Sequence, residues 1–149
     1  MVKIKIGNIL NCEEDIIVHQ VNVQGIMGGG VAWQLSQHYP GLEEDYRKYC
    51  ERHNFDYSEL KGKYHSYITD DNKAIVNMFS QKPSFATDYE AMETCLYQIK
   101  RDAMSSKASI AIPYGIGCGI ADGDWEEVYR IIDKVFKGYK VTLYKLKKG

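Results

Sequence analysis

This sequence has little that would staple, divide or anchor it. Its four cysteines, Cys12, Cys50, Cys95 and Cys118, form no CxxC pair, which removes both zinc-site spacing and a disulfide framework. Reduced thiols in a cytoplasmic protein are the expectation. Only 3 prolines occur in 149 residues. No repeat, low-complexity run or Pro/Gly/Ser linker interrupts the chain, so residues 1–149 read as a single domain. Charge of neither sign dominates: 19 Lys plus Arg face 20 Asp plus Glu, a net charge of −1. That balance removes the main argument for a general nucleic-acid or membrane-surface binder. Apolar stretches fall far short of the roughly 20 residues a membrane span needs. The opening MVKIKIGNIL has no signal-peptide pattern, so no membrane association is expected.

What is present is a globular mixture, 44% hydrophobic and 26% charged. A domain of this size buries roughly 68–70% of the surface its unfolded chain exposes, enough for a core without a metal. The alternating Lys3-Ile4-Lys5-Ile6 predicts a half-buried strand ended by Gly7-Asn8. Ile16 to Val21 is a β-branched run suited to a strand covered on both faces. After a glycine loop, Val31 to Tyr39 reads as a helix stopped by Pro40, and Gly41 to about His53 as another. Strands follow over Lys63–Ile68 and Ala74–Phe79, joined by the turn Asp70-Asp71-Asn72. Thr87 to Glu90 has capping-box spacing, ahead of a helical face of Tyr89, Met92, Leu96, Ile99 and Ala103. Ala108–Ile112 is a short strand, and Asp122 or Asp124 can cap a helix carrying Trp125, Val128, Ile131, Ile132 and Val135. Tyr139–Leu146 closes the chain. This alternation predicts an α/β sandwich with a largely parallel sheet. Trp33 and Trp125 are expected in the core, and Lys145-Leu146-Lys147-Lys148 as a solvated tail.

Two units share the plan strand, glycine loop, helix: Ile16–Val21 into Asn22–Gly30, and Ile110–Ile112 into Pro113–Gly119. In open α/β sheets ligands bind outside the carboxyl ends of the strands. Glycines there let backbone N–H groups approach a phosphate, and a helix N-terminus adds positive potential. Two such loops can grip a diphosphate from both sides. Neither is a Walker P-loop, and the first does not give G-x-G-x-x-G.

The longer string from His19 to Ala32, HQVNVQGIMGGGVA, resembles the first ligand loop of macro domains, the ADP-ribose-binding modules. IPYGIGCGIA, from Ile112 to Ala121, is similar to their second loop. Gly7-Asn8-Ile9 and Val141-Thr142-Leu143-Tyr144 stand where that family carries its first turn and last strand. The resemblance covers essentially the whole chain and is closest to the yeast-type ADP-ribose-1''-phosphate phosphatases and their phage and bacterial relatives. It implies a three-layer α/β/α sandwich with a mixed, largely parallel central sheet. It also implies a ligand, ADP-ribose or ADP-ribose-1''-phosphate, or an ADP-ribosylated macromolecule, and a monomer needing neither metal nor cofactor.

Residue by residue, the resemblance implies that Asn8 and Ile9 sit at the adenine, Asn8 replacing an aspartate. Asn22 would reach the distal ribose, and Gly28, Gly29, Gly30 and Val31 would wrap the diphosphate. Pro113 opens the second loop, where Gly115, Ile116, Gly117, Cys118 and Gly119 would supply backbone donors. Tyr144 would flank the adenine. For chemistry, His19 ends a strand beside the first loop and is a general acid or base candidate; its other reading is a histidine bonded between strand and helix. Asp122 is the carboxylate candidate for orienting water. His38, His53 and His65 are assigned structural or solvated roles. Cys118 lies where a helix N-terminus lowers a thiol pKa, although a small packing residue serves equally there. The related glutamate hydrolases pair a lysine with an aspartate directly after Gly-Cys-Gly-Leu. Here Ala121 takes the aspartate's place, and the lysine's place falls near Ser80-Gln81-Lys82. The leading expectation is a hydrolase acting at the distal ribose, of the ADP-ribose-1''-phosphate phosphatase type. The alternatives are removal of ADP-ribose from acidic side chains or nucleobases, and an ADP-ribose reader without turnover.

Overall fold

The computed structural model describes residues 1–147; Lys148, the end of the expected tail, lies outside the described residues. Six strands form one sheet: β1 (Val2–Ile6), β2 (Ile16–Val21), β3 (Tyr64–Ile68), β4 (Ala74–Phe79), β5 (Ile110–Pro113) and β6 (Val141–Lys145), in the order β1-β6-β5-β2-β4-β3. All neighbours run parallel except β3, which returns antiparallel to β4 through the turn at Asp70–Asn72. The helices are α1 (Gly30–His38), α2 (Leu42–Arg52), α3 (Tyr57–Leu60), α4 (Tyr89–Ser106) and α5 (Trp125–Val135). None of the described helices is long and apolar enough to cross a membrane.

Two cores flank the sheet, because successive strand residues point to opposite faces. On one face Val18, Val76, Met78, Ile112 and Leu143 meet Met92, Leu96 and Ile99 of α4 and Val128, Ile131 and Ile132 of α5. On the other, Ile17, Val21, Ile75 and Phe79 meet Leu35 of α1, Leu42 and Tyr46 of α2 and Leu60 of α3. The result is the three-layer α/β/α sandwich with a mixed, largely parallel sheet that the sequence implied.

Three local expectations are corrected. β1 is an edge strand pairing only with β6, and Ile4 and Ile6 are exposed instead of half-buried. Trp33 is 50% exposed on α1 and does not belong to the core. The cap of α4 is Asp88, whose carboxylate accepts from Ala91 N at 3.1 Å, and not Thr87 one residue earlier. The question left between Asp122 and Asp124 is resolved in favour of Asp124, which caps α5 by accepting from Glu126 N.

Candidate functional site

The carboxyl ends of β1, β2, β4 and β5 place four connections on one edge of the sheet. At β2 and β5, which are adjacent, the chain leaves toward opposite faces: β2 leads to α1 on one side, β5 to α5 on the other. That divergence opens a crevice between the two glycine loops. The loops face each other closely: a methyl built on Gly29 would stand 3.5 Å from Ile120 Cδ1.

The first loop begins with Asn22, whose side-chain oxygen accepts from Gln24 N (2.8 Å) and from Tyr46 OH (3.0 Å). Its oxygen is therefore engaged in shaping the loop, and only the Nδ2 donor is left for a ligand. Glu43 of α2 accepts from Met27 N at 2.7 Å. Beyond this point the loop is open. Gly29 precedes α1 with no side-chain cap, and the first turn of α1 contains no acid. The N–H groups of Gly28, Gly29, Gly30 and Val31 have no protein acceptor among the described residues. An uncapped helix start with free N–H groups is an anion site. Gly28 and Gly29 have no left-handed φ, and methyls there would meet side chains at ordinary contact distance. The backbone alone does not demand glycine at either position.

The second loop is built differently. Ile116 N donates to Pro113 O (3.1 Å) and Cys118 N to Gly115 O (3.0 Å). These two expected donors are already engaged; among the described residues Gly115, Gly117 and Gly119 keep free N–H groups. The carbonyl of Gly117 accepts twice, from Thr87 Oγ1 (2.6 Å) and Gly123 N (2.9 Å). Thr87 Oγ1 in turn accepts from Gln20 Nε2 (3.2 Å), and Gln20 Oε1 accepts from Ser80 Oγ (2.7 Å). This clamp ties the loop to β2, β4 and the start of α4. A methyl on Gly123 would lie 2.5 Å from Gly117 O, and Gly117 itself has φ +76°. Asp122 takes the left-handed φ of +54°, uncommon for a non-glycine residue; it is exposed, and its carboxylate has no partner among the described residues.

The structure changes the roles of other expected residues. His19 is 2% exposed and lies in a row across three strands. His19 Nε2–H donates to Asn77 Oδ1 (2.6 Å), Asn77 Nδ2 donates to His65 Nδ1 (3.0 Å), and His65 Nε2–H donates to Asp45 Oδ2 (2.9 Å). The register supplies this row, since His19, Asn77 and His65 pair across β2, β4 and β3. Desolvation pushes the His19 pKa down to about 4, outweighing the Asn77 bond. The imidazole is neutral at pH 7 and cannot serve there as a general acid; its buried Nδ1 lone pair has no partner. Burial, with Asp124 and Asp122 nearby, raises the Cys118 pKa, so the expected lowering by a helix N-terminus is reversed. Tyr144 is buried, its ring beneath Gly7 and its OH donating to Glu14 Oε1 (2.6 Å), so it cannot offer a stacking face. Ile9 is core, and Asn8 caps the short 3-10 turn Ile9–Asn11 by accepting from Leu10 N (3.0 Å). Lys82 lines a depression with Lys61, Gly62 and Thr94. Gln81, beyond the end of β4, forms an isolated antiparallel bridge to Thr87.

Sequence reasoning missed Gln20, Glu43, Asn77, Ser80 and Thr87. Thr87-Asp88 did contain a signal: two adjacent cap-competent residues cannot both cap one helix, so one hydroxyl or carboxylate is spare.

The sequence pattern of the family described as the Macro domain matches residues 18–132, a span from β2 into α5 that includes both loops. Over 140 residues the chain is 28% identical to the DNA ADP-ribosyl glycohydrolase of Mycobacterium tuberculosis. That alignment covers 88% of this chain but 37% of the relative, so the chain spans little more than a third of that protein's length. It is 42% identical over 59 residues to the ADP-ribose 1''-phosphate phosphatase of Saccharomyces cerevisiae, covering 38% of this chain and 32% of that protein. The macrodomain of Mycobacterium tuberculosis DarG superposes with a TM-score of 0.83 at 26% identity, covering 97% of each chain. With the fold, the paired loops and the matched span in agreement, this chain belongs to the macro-domain family.

Proposed function

We propose that this protein binds ADP-ribose in the crevice between the two glycine loops and hydrolyses a bond at its distal ribose, with ADP-ribose-1''-phosphate as substrate. The observation that carries this reading is the pair of facing glycine loops in which the N–H groups of Gly28–Val31 and of Gly115, Gly117 and Gly119 have no protein acceptor among the described residues. Preorganised donors of this kind hold a diphosphate and stabilise negative charge developing on oxygen. Relatives named for ADP-ribosyl hydrolysis and for phosphate removal support hydrolysis in general. Water is the nucleophile in this reading, with Lys82 lining a depression beside Lys61 and Thr94 and Gln81 held in a bridge to Thr87. Asp122 is the group that takes the proton from water. His19 contributes a fixed neutral ring whose tautomer is set by Asn77. The protein acts as a cytoplasmic monomer without metal or cofactor.

Calorimetric titration with ADP-ribose, against AMP and NAD, tests the pocket. Micromolar binding of ADP-ribose alone is expected, and no heat at millimolar ligand would remove the reading. Phosphate released from ADP-ribose-1''-phosphate by the wild type and lost in Asp122→Asn, with binding retained, is the expected catalytic result. Undiminished release in Asp122→Asn would refute that residue's role.

A further inference from the structure

Proton positions along the row across β2, β4 and β3 are not independent of one another. Asn77 lies between two rings and can face them in only one sense at a time. Its Oδ1 accepts from His19 Nε2–H (2.6 Å) while its Nδ2 donates to His65 Nδ1 (3.0 Å). At the surface end Asp45 accepts from His65 Nε2–H (2.9 Å), and at the inner end His19 Nδ1 bonds nothing among the described residues. The row therefore starts at a carboxylate in water and ends at a lone pair closed off from it: the Asp45 side chain is 53% exposed, His19 2%.

A proton arriving at this row has one favourable seat. His65 has the Asp45 carboxylate to hold an imidazolium, whereas no charged group among the described residues lies within hydrogen-bonding distance of His19. The groups around His65 are few. α2 presents Asp45, Arg52 and the Tyr49 ring at 4.9 Å, and β4 presents Asn77. His53, on the same Tyr49 ring, is already bonded to Glu59. On the His19 side the first loop and α1 carry no charged residue before His38, and Glu43 of α2 is engaged at Met27 N. Burial, with Arg52 nearby, lowers the His65 pKa against the pull of Asp45, so the seat fills below pH 6.5.

Protonation puts a hydrogen on His65 Nδ1, where Asn77 Nδ2 already donates, and two donors cannot share that contact. Half a turn of the amide restores it: Oδ1 then accepts from His65 Nδ1–H, and Nδ2 donates to His19 Nε2. His19 must give up its Nε2 proton and, staying neutral, take one up on Nδ1. By exchange with solvent the row gains one proton at His65 and relocates another on His19.

We infer that this row is an acid-operated switch, in which protonation of His65 reverses the Asn77 amide and converts His19 from its Nε2–H to its Nδ1–H tautomer. His19 Nδ1 then becomes a buried donor without an acceptor, which costs more than an idle lone pair. Ile17 and Val21, on the same face of β2 as His19, share one core with Val23 and Met27 of the first loop and Leu35 of α1. Loosening of that loop relieves the cost, so acid weakens its hold on a ligand. This last step rests on the reading of the crevice as an ADP-ribose site; the tautomer change does not.

Nitrogen-15 spectra of the histidine rings, recorded on the whole chain between pH 8 and 4.5, test the switch without a ligand. At pH 8 both rings should be Nε2–H tautomers. On acidification His65 should become doubly protonated, and at the same midpoint His19 should pass to Nδ1–H while remaining neutral. Asp45→Asn keeps an acceptor and removes the charge at an exposed position, so the fold should hold. Both transitions should then move down together by about one pH unit. A His19 tautomer that ignores His65, a His19 transition that does not follow Asp45→Asn, or a His19 already Nδ1–H at pH 8 would each overturn the inference. Calorimetry adds the functional arm: ADP-ribose affinity should fall about tenfold across the transition, and at lower pH in Asp45→Asn. Constant affinity across the tautomer change would overturn the coupling to the loop. Failure of ADP-ribose to bind at pH 8 would instead overturn the crevice as its site.

Discussion

The two glycine loops look interchangeable as strings, yet they are held by different means. The second is fixed by its own geometry: Gly117 and Gly123 fit only without side chains, and the Gly117 carbonyl is gripped by Thr87 and Gly123. The first is anchored at its base, through Asn22, Tyr46 and Glu43, and then runs free over Gly28 and Gly29. Gly117 and Gly123 therefore serve the fold, and the glycines at 28 and 29 serve whatever approaches the fold. A preformed cradle facing an adaptable arm is an arrangement suited to gripping a ligand from two sides.

Substitutions can break that contrast. The largest effect is expected from Gly29→Glu, whose side chain would occupy the space proposed for the diphosphate. Affinity for ADP-ribose should fall by at least about a hundredfold by calorimetry, while the melting temperature stays at the wild-type value. A melting temperature that falls with the affinity would make the first loop structural after all.

Acid should act on the floor beneath the first loop. Unfolded, His19 titrates near 6.5; folded, near 4. Between those values the unfolded chain binds a proton that the folded one excludes, so stability falls as pH drops from about 6.5 to 4. The total is about 3 kcal/mol. The shift of His65 has the same sign. Urea unfolding at pH 7, 5.5 and 4.5 should show this slope, and His19→Gln should flatten it.

Gly123→Ala should cost about 2 kcal/mol, because the added methyl meets backbone at Gly117, and binding should weaken with it. Thr87→Val removes one of the two donors to Gly117 O. About tenfold weaker ADP-ribose binding is expected, recovered in Thr87→Ser; equal weakening in both variants would point to lost shape and not to the lost hydroxyl. The smallest change belongs to Gly119→Ala. A methyl there has nothing within 4 Å, so stability should stay within about 0.5 kcal/mol in a denaturant titration.

How far these features could be seen in the sequence follows the range of the interactions. Periodicity located β2, α1, α2, β3, β4, α4, α5 and β6, since each rests on local alternation and local stops. Burial of β1 was misjudged because Lys3-Ile4-Lys5-Ile6 alternates like a half-buried strand, while its place at the sheet edge depends on pairing with β6 at the far end of the chain, Val2 with Val141. The short α3 had no expectation, as four residues carry no periodic signal. The loops were legible as glycine strings. Which of their N–H groups are free was not, because that depends on turns closing within the loop. His19 was visible as a residue type. Its neutral state comes from the burial around β2, against the pull of the Asn77 bond, a matter of strand register.

The edge strand β1 carries one more consequence, for the behaviour of many molecules in one solution. Its outer side leaves a row of backbone donors and acceptors open, a template on which a second copy can add a strand. Two copies meeting antiparallel about Ile4 would bring Lys3 of each against Lys5 of the other. Like charges directly opposite one another disfavour such a ladder. The lysines that make this strand read as amphipathic thus act as a guard against self-templating, and neutralising them would leave two exposed isoleucines on an unguarded edge.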